Sequence, residues 1–416
     1  MKIKPVAILS PMCLCLFVGS ARADLEPFSF GASETVQHQS NLNHTDDAQV
    51  PRVADWISTT EFNAALNQAL GRDNLIASAA VDFNRYKRTH SLNATGYRAA
   101  AEFDWSTIGD LSGAIGADSH RRQYVYGETA EPTPGTPPVL LNARNMQTDN
   151  HAFARVALGG VSRWTIFGGA DANQRSYSSD LFNASEERQW STNLGTRYST
   201  SPDLSFGLTG SYVRGEYPHG SATGGASDFN TRSVSATTKW QASGNSALDA
   251  SLGFTSASND ALTSDQHFIN GSLNWSWTPP SHFTVTLGLK RSSDADTAST
   301  GATVGVVNAN NLNGTSINNV AHLDVTYALT AKINLDATAD YTQRKYSDLN
   351  LVGLSDVSGS TRTARFYLTA HYQPTRTTDL SCGGGRETRH IDAGLATVTQ
   401  AYTDNYLQCM ASIHFD

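Results

Sequence analysis

Apolar side chains recur at every second residue in one ten-residue segment after another, and a period of two confines such a chain to β-structure. Leu204, Phe206, Leu208, Gly210 and Tyr212 share one parity, with Ser205, Gly207, Thr209 and Ser211 on the other. Phe283, Val285, Leu287 and Leu289 alternate with Thr284, Thr286, Gly288 and Lys290; Ile333, Leu335, Ala337, Ala339 and Tyr341 alternate with Asn334, Asp336, Thr338 and Asp340. The segments Ile269 to Trp277 and Leu323 to Leu329 repeat the pattern with an aromatic near the strand end. Charges in these strands keep to the polar parity. An unpaired cation facing lipid at mid-depth costs roughly 2–4 kcal/mol, so their placement marks which face meets hydrocarbon and which lines an interior.

The start of the chain reads as a secretory leader. Lys2 and Lys4 precede an apolar stretch from Val6 to Val18, and Ala21-Arg22-Ala23 suits signal peptidase, so residues 1–23 are expected to be removed and 24–416 to form one barrel domain. Cys13 and Cys15 lie inside that leader without the pattern that lipid modification needs. Cleavage takes away Lys2, Lys4 and Arg22, which leaves the 38 acidic residues further ahead of the 30 basic ones and argues against a nucleic-acid partner. No later apolar run reaches the roughly 18 residues of a membrane helix, which leaves a barrel as the only spanning form.

Eight short turns are predicted, near Gly71–Asn74, Thr107–Asp110, Gly160–Arg163, Thr200–Asp203, Ala242–Ser246, Thr278–Ser281, Leu329–Lys332 and Pro374–Thr378. Longer polar segments fall around 38–54, 87–96, 119–148, 173–188, 214–231, 256–265, 291–318, 345–361 and 388–401. Together they join about 18 antiparallel strands, an even number that places both termini in the periplasm and the long loops outside. The competing architecture is a soluble β-sandwich or solenoid. Against it stand Trp105, Trp164, Trp190, Tyr198, Trp240, Trp275 and Trp277 near strand ends, where a membrane interface would hold them, and an alternating last strand ending Ile413, His414, Phe415. That strand resembles the signal read by barrel-insertion machinery, although Met410 stands where Gly is usual and Asp416 follows the aromatic.

Little in the chain suggests catalysis, and no enzyme, cofactor or metal site is expected. Its 12 histidines form no His-x-x-x-His, there is no Cys-x-x-Cys, and no Gly-x-Ser-x-Gly elbow is present. His120, His151, His322 and His371 have inward parity, with Asp118, Asp171 or Asp324 in reach, but serine is common enough for such trios to arise by chance. Cys382 and Cys409 fall opposite one another if Leu380 pairs with Ala411; they are read either as a cross-strand disulfide or as two small thiols in the wall. The candidate lumenal contacts are Arg98, Arg155, Arg175, Arg197, Lys239, Lys290, Arg344 and Arg365, serving either as members of wall-stiffening ion pairs or as a lining for a hydrated polymer. Arg121, Arg122, Tyr124 and Tyr126, before the proline-rich centre of the longest loop, are the candidates for a constriction.

Several short segments resemble the outer-membrane barrels of bacterial exopolysaccharide systems, the EpsL-like type. They are Gln39-Ser40-Asn41-Leu42-Asn43, Ala54-Asp55-Trp56-Ile57-Ser58-Thr59-Thr60, and Gly195-Thr196-Arg197-Tyr198 running through Ser201-Pro202 to Gly215-Glu216-Tyr217-Pro218. Arg85-Tyr86, Leu92-Asn93 and Gly96-Tyr97 fit the same pattern. The resemblance implies export or surface assembly of a polysaccharide through a charge-lined lumen, with outer-membrane lipid, the insertion machinery and separate periplasmic and inner-membrane export proteins as partners. It transfers no catalytic residues. Two other readings share the fold: a general or nutrient-specific porin, and a structural or adhesive surface barrel with a plugged lumen.

Overall fold

The computed structural model describes residues 27–46, 51–124, 129–130, 139–140, 144–159, 162–219, 227–259, 265–293, 313–350, 357–395 and 400–415. Eighteen strands make the wall. They are β1 (Phe28–Gln39), β2 (Asp55–Leu70), β3 (Asp73–Tyr86), β4 (Ala94–Ser106), β5 (Leu111–Gln123), β6 (Met146–Leu158), β7 (Trp164–Tyr177), β8 (Glu187–Ser201) and β9 (Leu204–Tyr217). The rest are β10 (Ser227–Ser243), β11 (Ser246–Asn259), β12 (Gln266–Trp277), β13 (Phe283–Ser293), β14 (Asn313–Thr330), β15 (Ile333–Asn350), β16 (Val357–Tyr372), β17 (Thr378–Ile391) and β18 (Tyr402–Phe415).

Each strand pairs antiparallel with its chain neighbours, and β1 pairs with β18 from Phe30↔Phe415 to Gln39↔Tyr406, which closes the 18-stranded sheet on itself. Closure removes both sheet edges, so the wall's backbone groups can pair within it, as a structure crossing hydrocarbon requires. The expected 18-strand antiparallel barrel is therefore what the chain forms. The short connections lie where the turn residues put them. Gly71, at φ +72°, makes the β2–β3 turn in a conformation that other residues resist. A two-residue hairpin, Thr129–Ala130 with Val139–Leu140, lies within the longest loop.

Register fixes which side chains look outward. Phe206, Leu208, Val234, Leu252 and Phe254 are exposed and alternate with lumenal Ser, Thr and Gly, and Ile269, Leu289, Phe366 and Leu368 are exposed on the same outward face. All seven tryptophans take outward positions, including Trp56 and Trp190 toward the loop end and Trp105, Trp164, Trp240, Trp275 and Trp277 toward the turn end. Trp164 packs on Tyr198 with ring centres 4.7 Å apart, and Phe283 stacks on Tyr327 at 4.6 Å. Such rings suit the interfacial layers of a bilayer.

Inside, glycines let aromatic rings lie flat. Phe153, Phe167 and Phe229 each cover a directly paired glycine, Gly116, Gly195 and Gly215; a Cβ at Gly195 would sit 2.4 Å from the Phe167 ring. Cys382 and Cys409 are registered opposite each other on the outward face, Cα atoms 4.1 Å apart, with their sulfurs joined.

Candidate transport passage

The lumenal wall divides into two sectors of different chemistry. Across β14–β18 and β1–β7 it is a mesh of paired charges. His151 of β6 lies between Asp118 of β5 at 2.8 Å and Asp171 of β7 at 3.2 Å. His322 of β14 sits between Asp340 at 2.6 Å and Asp324, which it also bonds. His371 of β16 is placed between Asp336 at 3.1 Å and Asp379 at 3.7 Å. Arg175 bridges Asp149 at 2.9 Å and Glu187 at 3.2 Å, and His120 reaches the other oxygen of Asp149 at 3.0 Å. Lumenal parity brings these groups together: on adjacent antiparallel strands, inward residues stand directly or diagonally opposite.

Across β9–β13, and along β8 beyond Glu187, the lining is instead mainly hydroxyl and amide. Ser191, Asn193, Thr209, Ser211, Ser233, Ser235, Thr237, Ser251, Asn270, Ser272, Asn274 and Thr286 face inward. Among them stand Arg197, Lys239 and Lys290, with Asp249 registered opposite Lys239. Ser211 and Ser233 share a hydrogen bond, as do Ser251 and Ser272 at 2.7 Å. Hydroxyls can rotate to donate or accept, so such a surface can serve many hydrated solutes.

All eight candidate cations of the lining take lumenal positions, but in different company. Arg98 pairs with Glu61 at 2.8 Å, Arg365 with Glu387 at 2.8 Å, and Arg175 with two carboxylates. Arg155 lies over the Phe153 ring at 4.4 Å; Arg344 bonds the Ser316 hydroxyl at 2.9 Å and lies over Tyr346. Arg197, Lys239 and Lys290 make no ion pair among the described residues. His151 and His322 are each hydrogen-bonded to two carboxylates, Asp118 and Asp171 for the first and Asp340 and Asp324 for the second.

At the loop-end mouth one segment besides the longest loop turns toward the lumen. Residues 40–46, following β1, fold inward: Leu42 is buried with Ile57, Tyr86 and Leu92, and Ile57 and Tyr86 belong to the lumenal parity. Asp404 of β18 anchors the segment by accepting hydrogen bonds from the Ser40 amide at 3.0 Å, the Ser40 hydroxyl at 3.0 Å and the Asn41 amide at 2.9 Å. Asn41 donates to the Thr45 carbonyl, and Asn43 accepts from the Val53 amide. His44, with φ 47°, stacks on Tyr402 at 4.4 Å, and burial lowers its pKa despite the nearby carboxylates of Glu387 and Asp404.

Of the constriction candidates, Tyr124 is buried against Tyr177 and Phe182, and Arg122 has lumenal parity. Arg121 is registered with outward-facing Tyr97, so it stands on the outer wall and lines no constriction. Tyr126 lies outside the described residues. The inward segment was missed because its asparagines look like ordinary loop composition. The signal that exposes it is the single apolar Leu42 between two asparagines, directly after a lumen-facing strand end.

No protein-family model and no curated protein matches the chain in sequence. Among solved structures it is similar to the outer-membrane protein OpdK of Pseudomonas aeruginosa, at 12% identity over 94% of this chain and 100% of that one, TM-score 0.50. OccK2 (OpdF) of the same organism shares 12% identity over 94% and 99%, TM-score 0.52; a BenF-like porin of Pseudomonas fluorescens shares 14% over 94% and 100%, TM-score 0.50. These neighbours overturn the resemblance to EpsL-like exopolysaccharide barrels: the similar structures include a BenF-like porin and OpdK and OccK2, and no exopolysaccharide barrel is among those named. The motifs that suggested it are packing devices. Asn41 and Asn43 tie down the inward segment, and Gly195 and Gly215 sit beneath aromatic rings. The chain is a bacterial outer-membrane β-barrel of porin-like architecture.

Proposed function

We propose that the barrel is a passive channel for small hydrophilic solutes and favours anions, carboxylates above all. The observation that carries this reading is the β8–β13 sector, where Arg197, Lys239 and Lys290 face the lumen among hydroxyls with only Asp249 as an acidic neighbour on β9–β13. A carboxylate passing along it can exchange hydration water for guanidinium, ammonium and hydroxyl donors of similar strength, which lowers the cost of entry without trapping the ion. The paired charges of the opposite sector supply stiffness, since a cation already held by carboxylates offers a solute little. Likeness to a porin supports the channel, and the neighbour OpdK has been crystallised with vanillate, itself a carboxylate. A passive pore runs on the solute gradient, so this reading requires no energy-coupled partner.

Swelling of proteoliposomes in sodium benzoate and in arabinose tests it. The wild type is expected to admit both, with the carboxylate faster than its size alone allows. The double variant R197E/K239E is expected to lose that preference by several-fold while still admitting arabinose. A barrel that admits neither solute, or a variant with unchanged preference, contradicts the reading.

A further inference from the structure

The outward charges are distributed unevenly. Although acidic residues outnumber basic ones in the chain, the outer wall toward the loop end carries Arg121, Arg188, Arg214, Arg232, Arg291 and Arg386, all exposed and on outward register. The carboxylates among them are Glu216 and Asp228. These form long contacts, Arg188–Glu216 at 3.7 Å and Arg214–Asp228 at 3.8 Å, with side chains 41–62% exposed, and pairs so exposed contribute little. None of these arginines points into the lumen, so conduction does not account for them. At this height the long-loop end of an outer-membrane barrel meets the headgroups of the outer leaflet.

Two grooves on the same outer surface lead up to this band. The larger, about 900 Å³, runs over Ala99, Ala101, Ala117, Ala152 and Ala172, where small side chains on four adjacent strands leave the wall recessed, and ends at Trp190 and at Arg188 and Arg214 with Glu216 and Asp228. The smaller, about 450 Å³, lies between Leu252, Ile269, Leu289 and Ala321 around Gly271 and reaches Arg291. Each is apolar toward the middle of the wall and presents guanidinium groups at the loop end. An acyl chain with a phosphorylated head has the same polarity, and a guanidinium binds phosphate through two parallel N–H donors.

We propose that the outer wall holds a phosphorylated lipid of the outer leaflet, its acyl chain in the Ala99–Ala152 groove and its phosphate on Arg188 and Arg214, with a second, smaller site ending at Arg291. The partner is fixed by charge complementarity: a band of six arginines against two carboxylates lies above the apolar recess, in a membrane whose anions at that level are lipid phosphates.

Native mass spectrometry of the full barrel in a neutral detergent, with added bis-phosphorylated lipid A, tests the proposal. The wild type is expected to retain the lipid, and R188Q/R214Q to retain it about tenfold less, the scale of losing one strong charge-assisted contact. Lipid A stripped of both phosphates is expected to bind the wild type as weakly as the intact lipid binds the double variant. Because both arginines are exposed and outside the lumen, the variant is expected to keep wild-type conductance, and that readout separates lost binding from lost folding. Equal retention by the folded variant, or equal binding of the dephosphorylated lipid, overturns the proposal.

Discussion

Glu34 is a charge of the wall that does not keep to the lumenal parity. It shares its parity with Phe28, Phe30 and Val36, which are exposed on the outer wall, so its carboxylate faces outward midway along β1. Ser58 and Thr60 of β2, on the same face, donate their hydroxyls to it, the latter at 2.6 Å. The pattern of β1 announced this, because any register that sends the two phenylalanines outward takes Glu34 with them, but a single charge in an alternating strand is easily counted as lumenal. Two hydroxyls offset only part of the cost of placing a carboxylate beside lipid. Replacing Glu34 with Gln keeps an acceptor for them and removes the charge. We expect E34Q to raise stability by about 1 kcal/mol in urea unfolding from lipid vesicles. A loss of that size would instead mean that the ionised form is required. The eight lumenal cations, by contrast, were legible from parity alone. Which of them are held by carboxylates was not, because that depends on cross-strand register.

At the level of the strands, alternation revealed the segments that cross lipid and stopped where lipid stops. A strand rising about 3.3 Å per residue at a tilt near 40° crosses the roughly 25 Å apolar band in about ten residues. β14 and β15 each have 18 residues and therefore extend past the band. There the outward face meets water, polar residues occupy both parities, and the sequence reads as loop; this is why the segment 345–361 was expected to be one although pairing continues to Asn350. The turns were legible because glycine, proline and aspartate carry them locally. The glycines under lumenal rings were not, since their partner lies on another strand. Gly195 is the sharpest case: a valine there would meet the Phe167 ring and swing it off the wall into the lumen. G195V is accordingly expected to fold and to show lower single-channel conductance, and G195V/F167A to recover it. An unchanged conductance in G195V would show that the ring does not border the path.

For the whole molecule, closure into an 18-strand barrel follows from pattern and count, and the neighbours agree with it. What the barrel carries was harder to read. Short loop and turn motifs suggested polysaccharide export, but those residues secure the mouth and the wall, tasks common to barrels of many purposes. The passage is defined by a contrast that no single segment contains: a mesh of paired charges on one side and a hydroxyl-lined sector with Arg197, Lys239 and Lys290 on the other. The most direct test of that contrast is the reversal potential of the reconstituted channel in a planar bilayer under a KCl gradient. The account predicts an open channel whose reversal potential favours chloride, moving toward potassium in R197E/K239E. A wild-type channel that favours potassium, or a bilayer that stays closed, would contradict it.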